Sequence, residues 1–220
     1  MEEIAPDVFR LPLMPRYGLN AYVIGDVIVD AGLASSAKKI VKAVAGRTVR
    51  AHALTHAHVD HAGGSRRLVD ALELPLWAPA GDAGDVASGE PALAVSRLRP
   101  LLAFMAGFDG VDVARELREG DEVATGFVVV ELPGHSPGQI GYWRRSDRVL
   151  LTGDVFTNMN LLTTVVGLHL PPDLLTVDPD RNRESARRVA ALEPAVVGFG
   201  HGPVLHGAAP RLKAFVARMG

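Results

Sequence analysis

The sequence predicts a mixed α/β domain of 220 residues. Short runs rich in β-branched and aromatic residues recur between Gly, Asn and Asp turns, and amphipathic stretches with helical spacing separate them. Hydrophobic residues make up 48% and charged residues 22%, the balance of a globular chain long enough to bury a core without covalent staples. A single domain over 1–220 is expected, with a lid or insert at about 90–112.

Val8–Leu13, Ala21–Ile24 and Val27–Val29 read as strands, and Gly25-Asp26 between the last two as a tight hairpin turn. Ser35-Ser36 then caps a helix over Ala37–Val44, whose Ala37, Ile40, Val41 and Val44 share one face. Thr48–Leu54 is the next strand. After a histidine-rich loop come a helix over Arg66–Leu72 and a short strand at Leu76–Ala78. Residues 79–115 are less regular, but Leu98, Leu101, Leu102, Met105 and Phe108 form an apolar stripe that suits a helical hairpin or lid and reads as core before substrate wall. Arg97 and Arg99 beside it read as a solvated face. Phe127–Leu132 opens a second half that loosely repeats the first: Ile140–Trp143 and Val149–Leu151 pair around Ser146-Asp147, Ser185–Leu192 is a helix, Val196–Phe199 a strand and Leu212–Met219 a terminal helix. Leu161–Pro172 reads as an apolar loop. Linkers, repeats and low-complexity tracts are absent.

Several function classes fall away. A net charge of −2 and a pI near 6.4 do not make a general nucleic-acid binder. Cysteine is absent, which removes disulfides, cysteine metal sites, thiol nucleophiles and lipid anchoring. The acidic start Met1–Asp7 lacks the apolar core of a secretion signal, and runs such as Phe127–Val130 are far shorter than the ~20 residues that span a bilayer. A cytoplasmic protein with no membrane or nucleic-acid partner is expected. Of 23 basic residues 19 are Arg, which coding bias explains.

The informative stretch is Thr55-His56-Ala57-His58-Val59-Asp60-His61-Ala62-Gly63-Gly64. In extended backbone His56 and His58 point the same way and can grip one ion, while Asp60 and His61 follow a turn and address a neighbouring position. The two glycines are expected to let the chain bend sharply into the next helix. One metal needs three or four ligands and two need more. Three further candidates follow apolar strands in glycine-flanked loops: His135 in Leu132-Pro133-Gly134-His135-Ser136-Pro137-Gly138, Asp154 in Leu151-Thr152-Gly153-Asp154, and His201 in Phe199-Gly200-His201-Gly202-Pro203. Strands lying side by side would bring all four loops to one sheet edge.

At these residues the sequence resembles the metallo-β-lactamase superfamily. Five signature motifs match in order, including Val29-Asp30-Ala31-Gly32, and the resemblance runs from about Asn20 to Pro203. It implies a four-layer αββα sandwich in two similar halves with a metal cleft at one sheet edge. It also implies two divalent metal ions, zinc by default with iron or manganese as alternatives. Carried over by position, His56, His58 and His135 would hold the first ion, and Asp60, His61 and His201 the second. Asp154 would bridge both together with a hydroxide, and Asp30 would orient a ligand from behind. Two cations about 3.5–4 Å apart acidify the water between them, so hydroxide attacks without a Ser, Cys or Lys nucleophile. Asp60 and Asp154 are the catalytic carboxylates of this reading, with Asp60 accepting or returning a proton. His52, His169 and His206 match no motif; His52 and His206 read as structural or solvated, and His169 is the one whose loop could reach the cleft.

Within the superfamily, the lack of cysteine and the presence of Asp154 disfavour β-lactam hydrolysis. The motif strings are most similar to the hydroxyacylglutathione hydrolase (glyoxalase II) branch, yet only 19 residues follow His201, too few for that branch's C-terminal helical extension. Lactonases share the ligand set, but their catalytic tyrosine has no counterpart after Tyr142. The RNA-processing branch gains no support from a near-neutral charge. A rival from another class is a persulfide dioxygenase with one iron on His56, His135 and Asp154, a set suited to O₂ chemistry. The expectation is therefore a dinuclear metallo-hydrolase acting on an ester, thioester or lactone of a small molecule. The sequence assigns no substrate-binding residues and no oligomeric state.

Overall fold

The computed structural model describes residues 1–94 and 106–219. The middle of the expected lid, with Leu98, Leu101, Leu102, Met105, Arg97 and Arg99, lies outside the described residues. Phe108 lies within them and packs on the core beside Val86 and Val111.

Strands buried on both faces organise the chain. The first sheet takes β1 (Glu2–Ala5), β2 (Val8–Pro12), β3 (Asn20–Ile24), β4 (Val27–Val29), β5 (Ala51–Ala53), β6 (Leu76–Pro79) and β7 (Val113–Leu117) in sequence order. The second runs β15 (Leu205–His206), β14 (Val196–Gly198), β11 (Val149–Leu151), β10 (Ile140–Arg144), β9 (Phe127–Glu131), β8 (Glu122–Ala124). Period-two alternation divides their side chains between layers. Tyr22, Ile24, Val27 and Val29 from the first sheet meet Phe127, Val129, Ile140, Tyr142, Val149 and Leu151 from the second in a common interior. Residues one step along face outward: Ala21, Val23 and Ile28 pack on α1 (Ala37–Val44) and α3 (Ser65–Leu72), and Val130, Trp143 and Leu150 on α5 (Pro179–Ala191) and α6 (Ala208–Val216). The result is an αββα sandwich. Double burial also explains why these strands read as continuous apolar runs.

The elements sequence reasoning missed are short or polar. β1, β7, β8 and β15 lie at or near sheet edges, where few apolar residues mark them. The expected apolar loop at 161–172 instead contains β13 (Val166–His169), which pairs with β12 (Thr157–Met159). Thr48–Leu54 shortens to β5. Ser36 does not cap α1 through its side chain, because it already has helical backbone angles in a preceding 3-10 turn. α5 starts earlier than expected: Asp178 accepts from the Arg181 amide at 3.0 Å, and Pro179 occupies the first helical position. No helix among the described residues is long and apolar enough to cross a membrane.

Strand direction positions the site. β4 and β5 are parallel, β11 and β14 are parallel, and β9 runs with β11 because each is antiparallel to β10. The loops that follow these strands carry Asp30, residues 55–61, His135, Asp154 and His201. Hydrogen bonds across the sandwich fasten the two edges: Tyr142 Oη donates to Leu54 O at 2.6 Å, Tyr22 Oη to Phe199 O at 2.8 Å, and the Ile140 amide to Thr55 O at 2.9 Å. Asn20 Nδ2 donates to Phe199 O and Gly202 O. Burial pushes both phenols up, so they remain donors.

On the outer face of β5, His52 is fully buried. Its Nδ1 donates to Ile28 O at 3.3 Å and its Nε2 accepts from Ser65 Oγ at 2.9 Å, so the neutral ring is satisfied as the structural reading expected. Burial lowers its pKa from 6.5 to about 4. A base depressed on folding stabilises the protein above its unfolded pKa and loses that contribution as pH falls toward the folded one, here worth roughly 3 kcal/mol. Denaturant titrations between pH 7 and 4 are expected to show His52→Gln losing stability with a slope one proton shallower than wild type; identical slopes would contradict the assignment.

Candidate metal centre

His56 and His58 follow β5, and His58 stands as the N-cap of α2 (Val59–Ala62), a single turn that presents Asp60 and His61. The glycines after it serve close approach more than bending. Gly64 has ordinary helical angles, but a Cβ there would come within 2.5 Å of Ala31 O. α2 can therefore press against the loop carrying Asp30.

The donor atoms of His56, His58 and His135 lie within 4.8 Å of one another, as do those of Asp60, His61, Asp154 and His201. The structure thus brings together all seven side chains singled out in the sequence. Asp154 stands between the two sets: Oδ2 is 3.0 Å from His201 Nε2 and 3.7 Å from His135 Nε2, and Oδ1 is 3.5 Å from His61 Nε2. His58 Nδ1 and His135 Nε2 approach to 2.9 Å, and His201 Nε2 lies 3.2 Å from Asp60 Oδ2.

Partners behind the rings aim the inward nitrogens. Asp30 accepts from His61 Nδ1 at 2.8 Å, the Thr55 amide at 2.8 Å and Thr55 Oγ1 at 2.9 Å. It does so from a left-handed backbone conformation, φ 61°, that aspartate tolerates better than most residues. His201 Nδ1 donates to Gly18 O at 2.6 Å. His56 Nδ1 meets Thr55 Oγ1 at 3.1 Å.

The donors fit a bound cation. His56 Nε2, His61 Nε2 and Asp154 Oδ1 are buried without a hydrogen-bond partner, and each such atom costs about 1–3 kcal/mol unless something satisfies it. Nitrogen and carboxylate oxygen suit zinc, iron or manganese. The protonation pattern agrees. In the first set burial, then neighbouring imidazoles, pushes His56 well down, and burial with His58 takes His135 down to about 3. In the second set burial opposes protonation of the histidines, yet Asp154 and Asp30 hold His61 well up, and Asp154 and Asp60 raise His201 to about 10. Despite burial, these imidazoles hold both carboxyls low. In the first set His56 Nε2 is bare and His58 Nδ1 shares one hydrogen bond with His135 Nε2, and in the second the carboxylates favour protons where a cation would compete for the same lone pairs.

A cleft of about 340 Å³ opens over Asp60, His58, His135, Asp154 and His201, and its remaining walls include Leu93, Leu161, Pro171, Leu174 and Leu175. His169 is half-buried in the β12–β13 hairpin and is not among the described residues lining the cleft; His206 is exposed.

Residues 15–201 match the family model described as the metallo-beta-lactamase superfamily. The chain belongs to that superfamily. Two relatives are "Probable metallo-hydrolase YybB" of Bacillus subtilis, 27% identical over 88% of this chain and 85% of that protein, and "Hydroxyacylglutathione hydrolase" of Bdellovibrio bacteriovorus, 32% identical over 46% of this chain and 32% of that protein. Among solved structures, TTHA1623 in a di-iron-bound form superposes with TM-score 0.69 at 28% identity, covering 92% of this chain and 96% of that one. BLEG-1 B3 metallo-beta-lactamase gives TM-score 0.69 at 27% identity over 92% and 95%.

Sequence reasoning missed the part played by Gly200. A Cβ at that position would lie 2.1 Å from Asp154 Oδ1 and 2.5 Å from His61 Cε1, so only glycine leaves those side chains room; the glycines flanking His201 were the available signal. Saturating zinc added to chelator-treated protein is expected to raise Tm by roughly 10 °C, from binding at about a thousand times Kd. Gly200→Ala is expected to fold, to show a smaller rise and to bind fewer ions by elemental analysis. An unchanged Tm on adding zinc to the wild type would contradict the fit.

Proposed function

We propose that this chain is a metal-dependent hydrolase acting on an ester, thioester or lactone of a small apolar molecule. The observation that carries the reading is Asp154, one carboxylate within reach of His61, His135 and His201 from two separate ligand sets. His56, His58 and His135 would hold one divalent cation, Asp60, His61 and His201 another, and Asp154 both. Bound there, a pair of such ions supplies acidified water and charge stabilisation for an acyl-transfer reaction. The relative carrying the metallo-hydrolase name supports this class, and the hydroxyacylglutathione hydrolase match supports a thioester. The metal is zinc by preference, with iron the alternative that the di-iron neighbour keeps in view.

The chain's own residues have distinct tasks. Asp60 is half-buried at the cleft mouth, 3.2 Å from His201 Nε2, placed to take a proton from attacking water and return it to the leaving group. Asp30 and Gly18 O hold His61 and His201 in one tautomer. Leu161, Pro171, Leu174 and Leu175 give the acyl side of the cleft an apolar wall, and no lysine or arginine is among the described residues lining it. That apolar wall supports an uncharged acyl group. The full second set favours two ions over the mononuclear iron dioxygenase, which would leave Asp60, His61 and His201 without a task. The presence of Asp154 still argues against β-lactams.

Zinc-loaded protein is expected to cleave members of a thioester, lactone and ester panel. Asp60→Asn should lower kcat by about 10²–10⁴-fold, the worth of a positioned acid–base group, and His56→Ala should abolish turnover in a folded protein. Undiminished activity in either variant, or O₂ uptake by protein holding one iron, would overturn the reading.

A further inference from the structure

Asp82 lies outside every motif noted in the sequence, yet it is fully buried beside the site. It precedes α4 (Ala83–Ser88) as the N-cap residue, and its side chain makes no bond to that helix. Its carboxylate points the other way. Oδ2 accepts from the Ala57 amide at 3.0 Å and from Ser136 Oγ at 2.6 Å, and Oδ1 accepts from the Gly138 amide at 2.6 Å. Ala57 sits between His56 and His58, and Ser136 adjoins His135.

We propose that Asp82 is the positioning residue of the first ligand set, tying the loop of His56 and His58 to the loop of His135 through one buried carboxylate. This rests on the dinuclear reading above. The backbone was shaped for the junction: a Cβ on Gly81 would come within 2.7 Å of Gly138 Cα, and a Cβ on Gly138 within 2.4 Å of the Asp82 amide. Each segment can reach the other only because both lack side chains at the contact.

The arrangement mirrors the other set. Asp30 accepts from three donors and fixes His61 through the ring itself. Asp82 also accepts three but touches no imidazole, so it acts on the backbone that carries the rings. It further adds a negative charge behind three neutral imidazoles, and among the described residues no lysine or arginine pairs with it. A cation held by His56, His58 and His135 is the natural counter-charge. Lost outer partners of metal ligands typically cost about 10–100-fold in affinity.

Chelator-competition titration with zinc tests the assignment in wild type, Asp82→Ala, Asp82→Asn, His56→Ala and the double variant His56→Ala/Asp82→Ala. Asp82→Ala is expected to weaken one of two ions by about 10–100-fold and leave the other unchanged. Asp82→Asn, which keeps the volume and guards against a fold failure in the alanine variant, should weaken the same ion. With His56 already removed, Asp82→Ala should not alter the affinity of the remaining ion. Equal weakening of both ions, an undiminished loss in the His56→Ala background, or unchanged affinities in Asp82→Asn would overturn the proposal. Wild-type protein that binds fewer than two zinc ions would instead overturn the dinuclear reading beneath it.

Discussion

Seven side chains with lone pairs or charge to satisfy converge, five of them buried and His58 and Asp60 partly open to the cleft, and Asp154 stands where the two groups overlap. Its position forces a choice on everything around it. Asp154 and the carboxylates around it favour protons on His61 and His201, while burial and neighbouring imidazoles disfavour them on His56, His58 and His135. The orphaned His56 Nε2, His61 Nε2 and Asp154 Oδ1 record that this balance is incomplete. Divalent cations would relieve the carboxylates and the bare imidazoles together, which is why the site is better understood as a receptor for charge than as a salt-bridge network.

The sandwich makes that convergence affordable to the fold. Parallel alignment of β4 with β5 and of β11 with β14 sends their following loops to one edge, and Tyr22, Tyr142 and Asn20 fix the two edges to each other from inside. Strand interiors supply rigidity, while the ligands themselves occupy turns. Two buried aspartates, Asp30 and Asp82, then divide the work of holding those turns, one through a ring and the other through backbone amides.

Much of this was legible in the sequence. Val27–Val29 and Val149–Leu151 coincide with observed strands because their side chains are buried on both faces and leave unbroken apolar runs, and Ala37–Val44 coincides with a helix because Ala37, Ile40 and Val44 share its one buried face. All seven ligand candidates could be named from the dense His-x-His-x-Asp-His run at 56–61, from His135, Asp154 and His201 in glycine-flanked loops after apolar strands, and from the resemblance those motifs carry. What stayed hidden depends on tertiary contact. Asp82 looks like any helix-capping aspartate until its carboxylate is seen turned away from its helix. Gly200 looks like loop filler until Asp154 and His61 are found beside it. Edge strands such as β1 and β15 carry little apolar pattern because solvent or a terminus covers one side. The hairpin containing Leu162 and Val166 read as a loop because its apolar side chains are exposed rather than alternating against a core.

In the proposed site Asp154 would lie between two metal ions. Anomalous diffraction from crystals of the zinc-loaded protein, collected on both sides of the zinc edge, tests it most directly. Two peaks per chain are expected, one beside His56, His58 and His135 and one beside Asp60, His61 and His201, with the Asp154 carboxylate between them. A single peak, or peaks away from Asp154, would contradict it.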